Sequence, residues 1–204
     1  MAVTPAARAA RALAQRDEVI AQMVERHGVP TLTRDGGSHF AALIRSICYQ
    51  QLAGRAAATI HGRFTALVDD EPTPENVIAL TVAEMRAVGL SANKSAAIRD
   101  LAEKSQQGLV ELDRLSSLND DAVIAELITV RGIGVWTAQM FLMFQLGRLD
   151  VWPTLDLGVR AGFARLYGFP TPLDPKQMEQ EGARFVPYRS IVAWYCWRAA
   201  DTAL

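Results

Sequence analysis

Three sets of residues in this chain have types and spacing that suit chemistry. The first is an isolated carboxylate, Asp156, within Thr154-Leu155-Asp156-Leu157-Gly158-Val159-Arg160, where a helical pattern begins. The second is a short hairpin, Val130-Arg131-Gly132-Ile133-Gly134-Val135, about twenty residues upstream. Two glycines separated by one apolar residue suit a turn that needs a positive φ and lets the backbone approach another molecule closely. The helix that opens at Trp136 would then present its first amide groups to an anion such as a phosphate, with Arg131 adding charge at the same place. The third set is aromatic, with Trp136 and Met140 one helical turn apart and Trp197 in the last apolar helix. An Asp before a helix is ordinarily an N-cap that stabilises by ~1 kcal/mol. A fixed carboxylate in a water-poor site can stabilise a developing positive charge and take a proton from an attacking water.

Composition limits the alternatives. With 204 residues, half of them hydrophobic, the chain can bury a sizeable core. No apolar run is long enough to read as a membrane span. The stretch from Met1 to Val24 lacks the uninterrupted apolar segment of a secretory signal, so a cytoplasmic (nucleoid-associated) or nuclear location is the expectation. Two cysteines, Cys48 and Cys196, are too few for an iron–sulfur cluster or a zinc site, and the histidines His27, His39 and His61 are dispersed. A net charge of −1 does not advertise nucleic acid. Any DNA surface must be local and must rely on backbone amides as much as on Lys and Arg.

The elements that would position these residues are helices. Alanine, leucine, arginine and glutamine dominate, and no alternating strand pattern persists. We read a helix to about Arg26, then helices over 39–49, 53–68, 74–80, 82–88 and from Ser91 or Asn93 to Gln106. Asp120 to Thr129 forms the first arm of the hairpin motif. After Asp156 come helices over 157–167, 176–185 and 190–203. Asp150 reads as structural, and Trp152 and Trp194 read as core.

The hairpin followed by Asp156 resembles the helix-hairpin-helix DNA glycosylases, and within them the 3-methyladenine DNA glycosylases. The resemblance also takes in Ile47-Cys48-Tyr49-Gln50-Gln51-Leu52-Ala53-Gly54-Arg55-Ala56-Ala57, Val88-Gly89-Leu90-Ser91-Ala92-Asn93-Lys94, and Pro187-Tyr188-Arg189-Ser190 with Trp197 behind it. Together these span roughly residues 38 to 200 in the family's order.

It implies an all-α, two-lobed helical bundle with an active-site cleft between the lobes. The whole chain, 1–204, would be one glycosylase domain. One lobe would cover about 31–150, and the other 1–30 with 151–204.

By the same resemblance, Asp156 is the catalytic carboxylate, and Trp136, Met140 and Trp197 line the pocket for a flipped base. Met140 stands where the family can carry a tyrosine. Gln51 or Leu52 is the side chain that fills the hole left in the duplex. Arg131, Gly132, Ile133 and Gly134 grip the DNA backbone. Arg45, Arg55, Lys94 and Arg160 are further cations within reach of phosphate. The carbonyls of Ile128, Val130 and Ile133 could hold a Na or K ion, and no cofactor is required.

The implied partner is double-stranded DNA with damaged bases, bound by a monomer without a membrane. Relatives that also cut the strand use a lysine two residues after the second glycine, where this chain has Trp136. The expected activity is therefore monofunctional: release of alkylated purines such as 3-methyladenine and 7-methylguanine, leaving an abasic site. Alternatives are a non-catalytic helix-hairpin-helix DNA-binding module, or a glycosylase for uracil, hypoxanthine or ethenoadenine.

Overall fold

The computed structural model describes residues 3–32, 37–52 and 54–201, and every regular element among them is helical. The chain runs α1 (Pro5–Ala14), α2 (Glu18–His27), α3 (His39–Tyr49), α4 (Gly54–Ala66), α5 (Pro74–Ala79), α6 (Val82–Ala87) and α7 (Ala92–Gln106). It continues with α8 (Asp120–Leu127), α9 (Val135–Phe144), α10 (Leu157–Tyr167), α11 (Pro175–Gly182) and α12 (Arg189–Asp201). No described helix is long and apolar enough to cross a membrane.

Short polar side chains set most of the helix starts, because each satisfies an amide left bare in the first turn. Thr4, Ser38, Thr73, Ser91, Asn119, Asp156 and Asp174 all do so. Thr81 with Glu84 forms a reciprocal capping box at α6. The single N-terminal helix expected from the alanine-rich pattern is in fact two. Asp17 takes an extended conformation and accepts the Ile20 amide at 3.0 Å, which starts a new helix in mid-pattern. A 3₁₀ segment at Leu112–Ser117, unforeseen in the sequence, leads into α8.

The chain divides into two compact units, Met1–Arg34 with Leu142–Leu204, and Asp35–Phe141. In the first, α12 runs against α10 and is flanked by α1 and α2. The contact between α10 and α12 is backbone to backbone. A Cβ on Gly162 would lie 1.8 Å from the Cys196 carbonyl oxygen, so only glycine fits there. Around this line lie Phe163, Ile191, Val192 and Tyr195, all fully buried. Tyr195 donates from its hydroxyl to the Gly28 carbonyl at 2.8 Å, and burial pushes its pKa up to about 12.

In the second unit, α7 is the central element, packed by α3, α5 and α6. Its apolar positions Ala97, Ile98, Leu101 and Ala102 are buried. Its remaining face carries Lys94, Asp100 and Lys104, at helical spacing along one side.

Gly162→Ala should therefore destabilise the fold by roughly 1–3 kcal/mol or more, as overpacking against fixed backbone does. Gly62, in α4 with open space around it, is the control: Gly62→Ala should raise stability by about 0.5–1 kcal/mol. Denaturant unfolding of the two variants measures both signs.

Candidate functional site

Asp156 stands at the N-terminus of α10 with 9 % of its surface exposed. Two donors converge on the same oxygen. The Val159 amide reaches Oδ1 at 2.8 Å and the Trp197 indole N–H reaches it at 3.0 Å. A carboxylate held by donors from two elements keeps one plane, whereas a cap held only by its own helix can rotate. The glycine at 158 makes the second bond feasible. A Cβ there would sit 3.0 Å from the Trp197 ring and 3.2 Å from Oδ1. Gly158 and Gly162 thus share one face of α10: one admits the α12 backbone, the other the Trp197 indole. The same ring also meets Phe144, centroid to centroid 5.9 Å and tilted 31°.

The hairpin follows α8. Gly132 has φ +77, a conformation that glycine takes without strain. A Cβ at this position would lie 3.1 Å from that of Ala97 on α7. Asp100 accepts the Arg131 amide at 2.7 Å and the Lys104 ammonium at 2.9 Å, while Lys104 also donates to the Thr129 carbonyl at 2.5 Å. Burial alone would raise the Asp100 pKa. The Arg131 amide, the Lys104 hydrogen bond and the two positive charges outweigh it, and the net shift is downward. Ile133 is buried, so only its backbone can face a ligand, whereas Arg131, Gly132 and Gly134 are exposed. Directly after the turn, Trp136 is 44 % exposed and Met140 partly so, on one face of α9.

The turn after α3 completes the set. Gln51 has φ +55, a left-handed conformation that costs a side-chain-bearing residue roughly 1–2 kcal/mol. Gln51 and Leu52 are both exposed. The preceding Gln50 donates from Nε2 to the Gly132 carbonyl at 2.9 Å and to the Thr137 hydroxyl at 3.3 Å. Lys94 donates to the Cys48 and Gln50 carbonyls at 2.8 and 2.7 Å.

Structure therefore brings Asp156 together with Trp197, and the Gln51 turn together with the hairpin. Asp156 and Trp197 belong to one compact unit; Trp136, Met140 and the hairpin belong to the other. Several cations have internal partners. Lys94 is committed to the carbonyls above, and Arg160 donates from Nε to the Leu173 carbonyl at 2.5 Å. Arg45 lies over the Tyr49 ring at 4.4 Å.

Asp150 is held by Arg189, with Nε and Nη2 each at 2.9 Å, an ion pair that secures the start of α12. Trp152 is buried and donates to the Met178 carbonyl at 2.7 Å. Among the described residues no cluster of His, Cys, Asp or Glu could hold a metal. The hairpin carbonyls are neutral donors of the kind a monovalent cation takes. Val130 also accepts the Ile133 amide at 3.1 Å, which uses one of its carbonyl's two lone pairs.

A family model described as "HhH-GPD superfamily base excision DNA repair protein" matches residues 44–188. DNA-3-methyladenine glycosylase 1 of Schizosaccharomyces pombe is 32% identical over 177 residues, covering 85% of this chain and 78% of that protein. The solved structure of the S. pombe 3-methyladenine DNA glycosylase in complex with abasic DNA superposes with a TM-score of 0.85 at 31% identity. It covers 96% of this chain and 98% of that one. A DNA-3-methyladenine glycosidase from Bacillus halodurans gives 0.83 at 33% identity, with 98% and 90% covered.

Two measurements address the positioning bonds. Trp197→Phe keeps an aromatic ring but removes the N–H on Asp156; catalytic turnover should fall about tenfold, the size of one lost hydrogen bond to a charged group. The second concerns acid. Because the Asp100 pKa is depressed on folding, its stabilisation is full above the unfolded value of about 3.9 and is lost as pH falls through the lower folded value. Protection of the Arg131 amide, its exchange rate relative to the intrinsic rate at each pH, should fall over that window in the wild type. In Asp100→Ala it should already be low at neutral pH.

Proposed function

The chain belongs to the HhH-GPD superfamily of base excision DNA repair proteins, and from that premise we propose that it is a monofunctional DNA glycosylase releasing alkylated purines from duplex DNA. The observation that carries this reading is Asp156. It is a nearly buried carboxylate, locked by a helix amide and by the indole of a tryptophan that can also stack on a base. Similarity to 3-methyladenine glycosylases over most of both chains supports the same substrate class.

A base within the stack is out of reach, so the nucleotide must rotate out of the duplex before the bond to its sugar can break. Gln51 or Leu52 is assigned to the space it leaves. Gly132, Ile133 and Gly134 supply backbone to the phosphates, with the Arg131 side chain beside them. A monovalent cation on the carbonyls of Ile128, Val130 and Ile133 would add positive potential facing the phosphates.

Trp136, Met140 and Trp197 are assigned to the extruded base. Electron-rich ring faces favour a cationic base such as 3-methyladenine or 7-methylguanine by ~0.5–2 kcal/mol over a neutral one. Such a base leaves readily, so no second carboxyl group is needed to protonate it. As the bond lengthens, positive charge grows on the deoxyribose, as in glycoside hydrolysis. Asp156 stabilises that charge and takes a proton from the water that adds to C1′. Position 136 holds an indole and no amine, which supports hydrolysis by water without a Schiff-base intermediate.

Asparagine caps a helix about as well as aspartate and still accepts from Val159 and Trp197. Asp156→Asn should thus leave thermal stability and affinity for abasic duplex nearly unchanged, while release of 3-methyladenine from methylated DNA falls about 10²–10³-fold. Chromatography of freed bases reads this directly, and unchanged release would remove Asp156 from the chemistry. The wild type should also give no protein–DNA crosslink on borohydride treatment.

A further inference from the structure

Between the hairpin and the turn that carries Gln51 stands a residue that the activity above does not use. Gln50 points its amide at the hairpin, bonding the Gly132 carbonyl at 2.9 Å and the Thr137 hydroxyl in the first turn of α9 at 3.3 Å. These partners lie 82 and 87 positions away in the chain. The backbone carbonyl of the same residue is held by Lys94 at 2.7 Å, and Lys94 also takes the Cys48 carbonyl at 2.8 Å. A cation there satisfies carbonyls at the end of α3 that the helix itself leaves without partners.

Down the same side of α7, Ala97 abuts Gly132 and Asp100 holds the Arg131 amide. Lys104 reaches the Thr129 carbonyl. Four positions of one helix thus seat both the turn and the hairpin. The Gln50 side chain is the cross-piece that joins them directly. Gln51 meanwhile sits in a left-handed conformation that side-chain-bearing residues rarely adopt, so its presentation depends on the neighbours that hold the turn.

We propose that Gln50 is a positioning residue that ties the turn presenting Gln51 to the phosphate-gripping hairpin, so that grip on the DNA backbone and entry of a side chain into the duplex act as one event. The inference rests on the glycosylase reading above and deepens it: damage is recognised only where a gripped backbone also yields a gap at a fixed distance. Gln50 touches no reacting atom; it acts through Gln51 and Gly132. A donor is needed at this position, because the Gly132 carbonyl can only accept. Glutamate has the same shape but would set a carboxylate against the Gly132 carbonyl.

The test is the ratio of affinities for an abasic duplex and an intact duplex of the same sequence, measured for the full chain. A partly unfolded variant loses active protein for both duplexes alike and leaves the ratio untouched. Gln50→Leu should lower the preference for the abasic duplex about tenfold, the effect of one or two net hydrogen bonds. Gln50→Glu should lower it at least as much. Combining Gln50→Leu with whichever of Gln51→Ala and Leu52→Ala itself lowers the preference should be no worse than that single change, since both remove one function. A preference kept within about twofold in both Gln50 variants, or losses that add in the double variant, would overturn the proposal. If the wild type itself does not prefer abasic DNA, the glycosylase reading fails with it. If the wild type shows that preference and releases methylated bases while the Gln50 variants match it, only the tie is lost.

Discussion

The approach of α12 to α10 at Gly162 is the constraint on which the carboxylate depends. Because the Cys196 carbonyl lies where a Cβ would be, the two helices meet at backbone distance and the next residue on α12, Trp197, arrives at the head of α10. There its indole N–H meets Asp156, and the missing side chain at Gly158 leaves room for it. A methyl group at Gly162 would force the α12 backbone away, and one at Gly158 would press the indole aside by a few tenths of an ångström. One helix-packing decision thus fixes the orientation of the carboxylate proposed to meet a growing positive charge. Electrostatic stabilisation of this kind is effective because the dipoles are in place beforehand and cost no reorganisation during the reaction.

The same economy holds in the other unit, with α7 as the seat. Its exposed side does not merely solvate the surface. Lys94, Asp100 and Lys104 each bond backbone of a neighbouring loop. Bonds from side chain to backbone of this kind leave loop side chains available for other partners. The hairpin keeps Arg131 pointing outward while its amide is held. Asp156 likewise serves twice, as the cap of α10 and as the proposed reacting carboxylate. The cap is observed in the geometry, and the chemistry proposed for the same carboxylate would use that geometry unchanged.

How much of this was legible in the chain differs by kind of interaction. Helix starts were readable because their signals are local: Ser91, Asn119 and Asp174 each sit three residues before the amide they accept. The break at Asp17 was missed because the alanine-rich pattern continues across it and only the cap marks the change. Family membership was readable from ordered segments, the hairpin foremost. What no local pattern could give was pairing at long range. The Trp197–Asp156 bond spans 41 residues and the Gln50–Gly132 bond spans 82. Gly158 and Gly162 did carry a usable signal: two glycines one turn apart in a helix disfavour helix formation unless another backbone approaches. Gln50 carried none, since a Gln-Gln pair does not say which of the two faces outward.

The near-neutral charge of the chain then becomes a statement about mechanism. Affinity for nucleic acid usually comes from many Lys and Arg side chains that displace counterions from phosphates. Here the net charge is −1, and Lys94, Lys104, Arg160 and Arg189 are all bonded within the protein. Cationic side chains thus contribute to the site largely by holding loops in shape. On the glycosylase reading, the hairpin's grip on DNA comes from the outward Arg131 and from amides of the hairpin and the first turn of α9, whose strength depends on direction as well as charge. A diffuse cationic surface tolerates a displacement of an ångström; a set of amides aimed at one phosphate does not. On that reading, the bonds from Gln50, Asp100 and Lys104 that converge on one short turn have a purpose. By the same reasoning, the residues that hold Gly132 and Arg131 in place should matter as much as those proposed to meet the DNA.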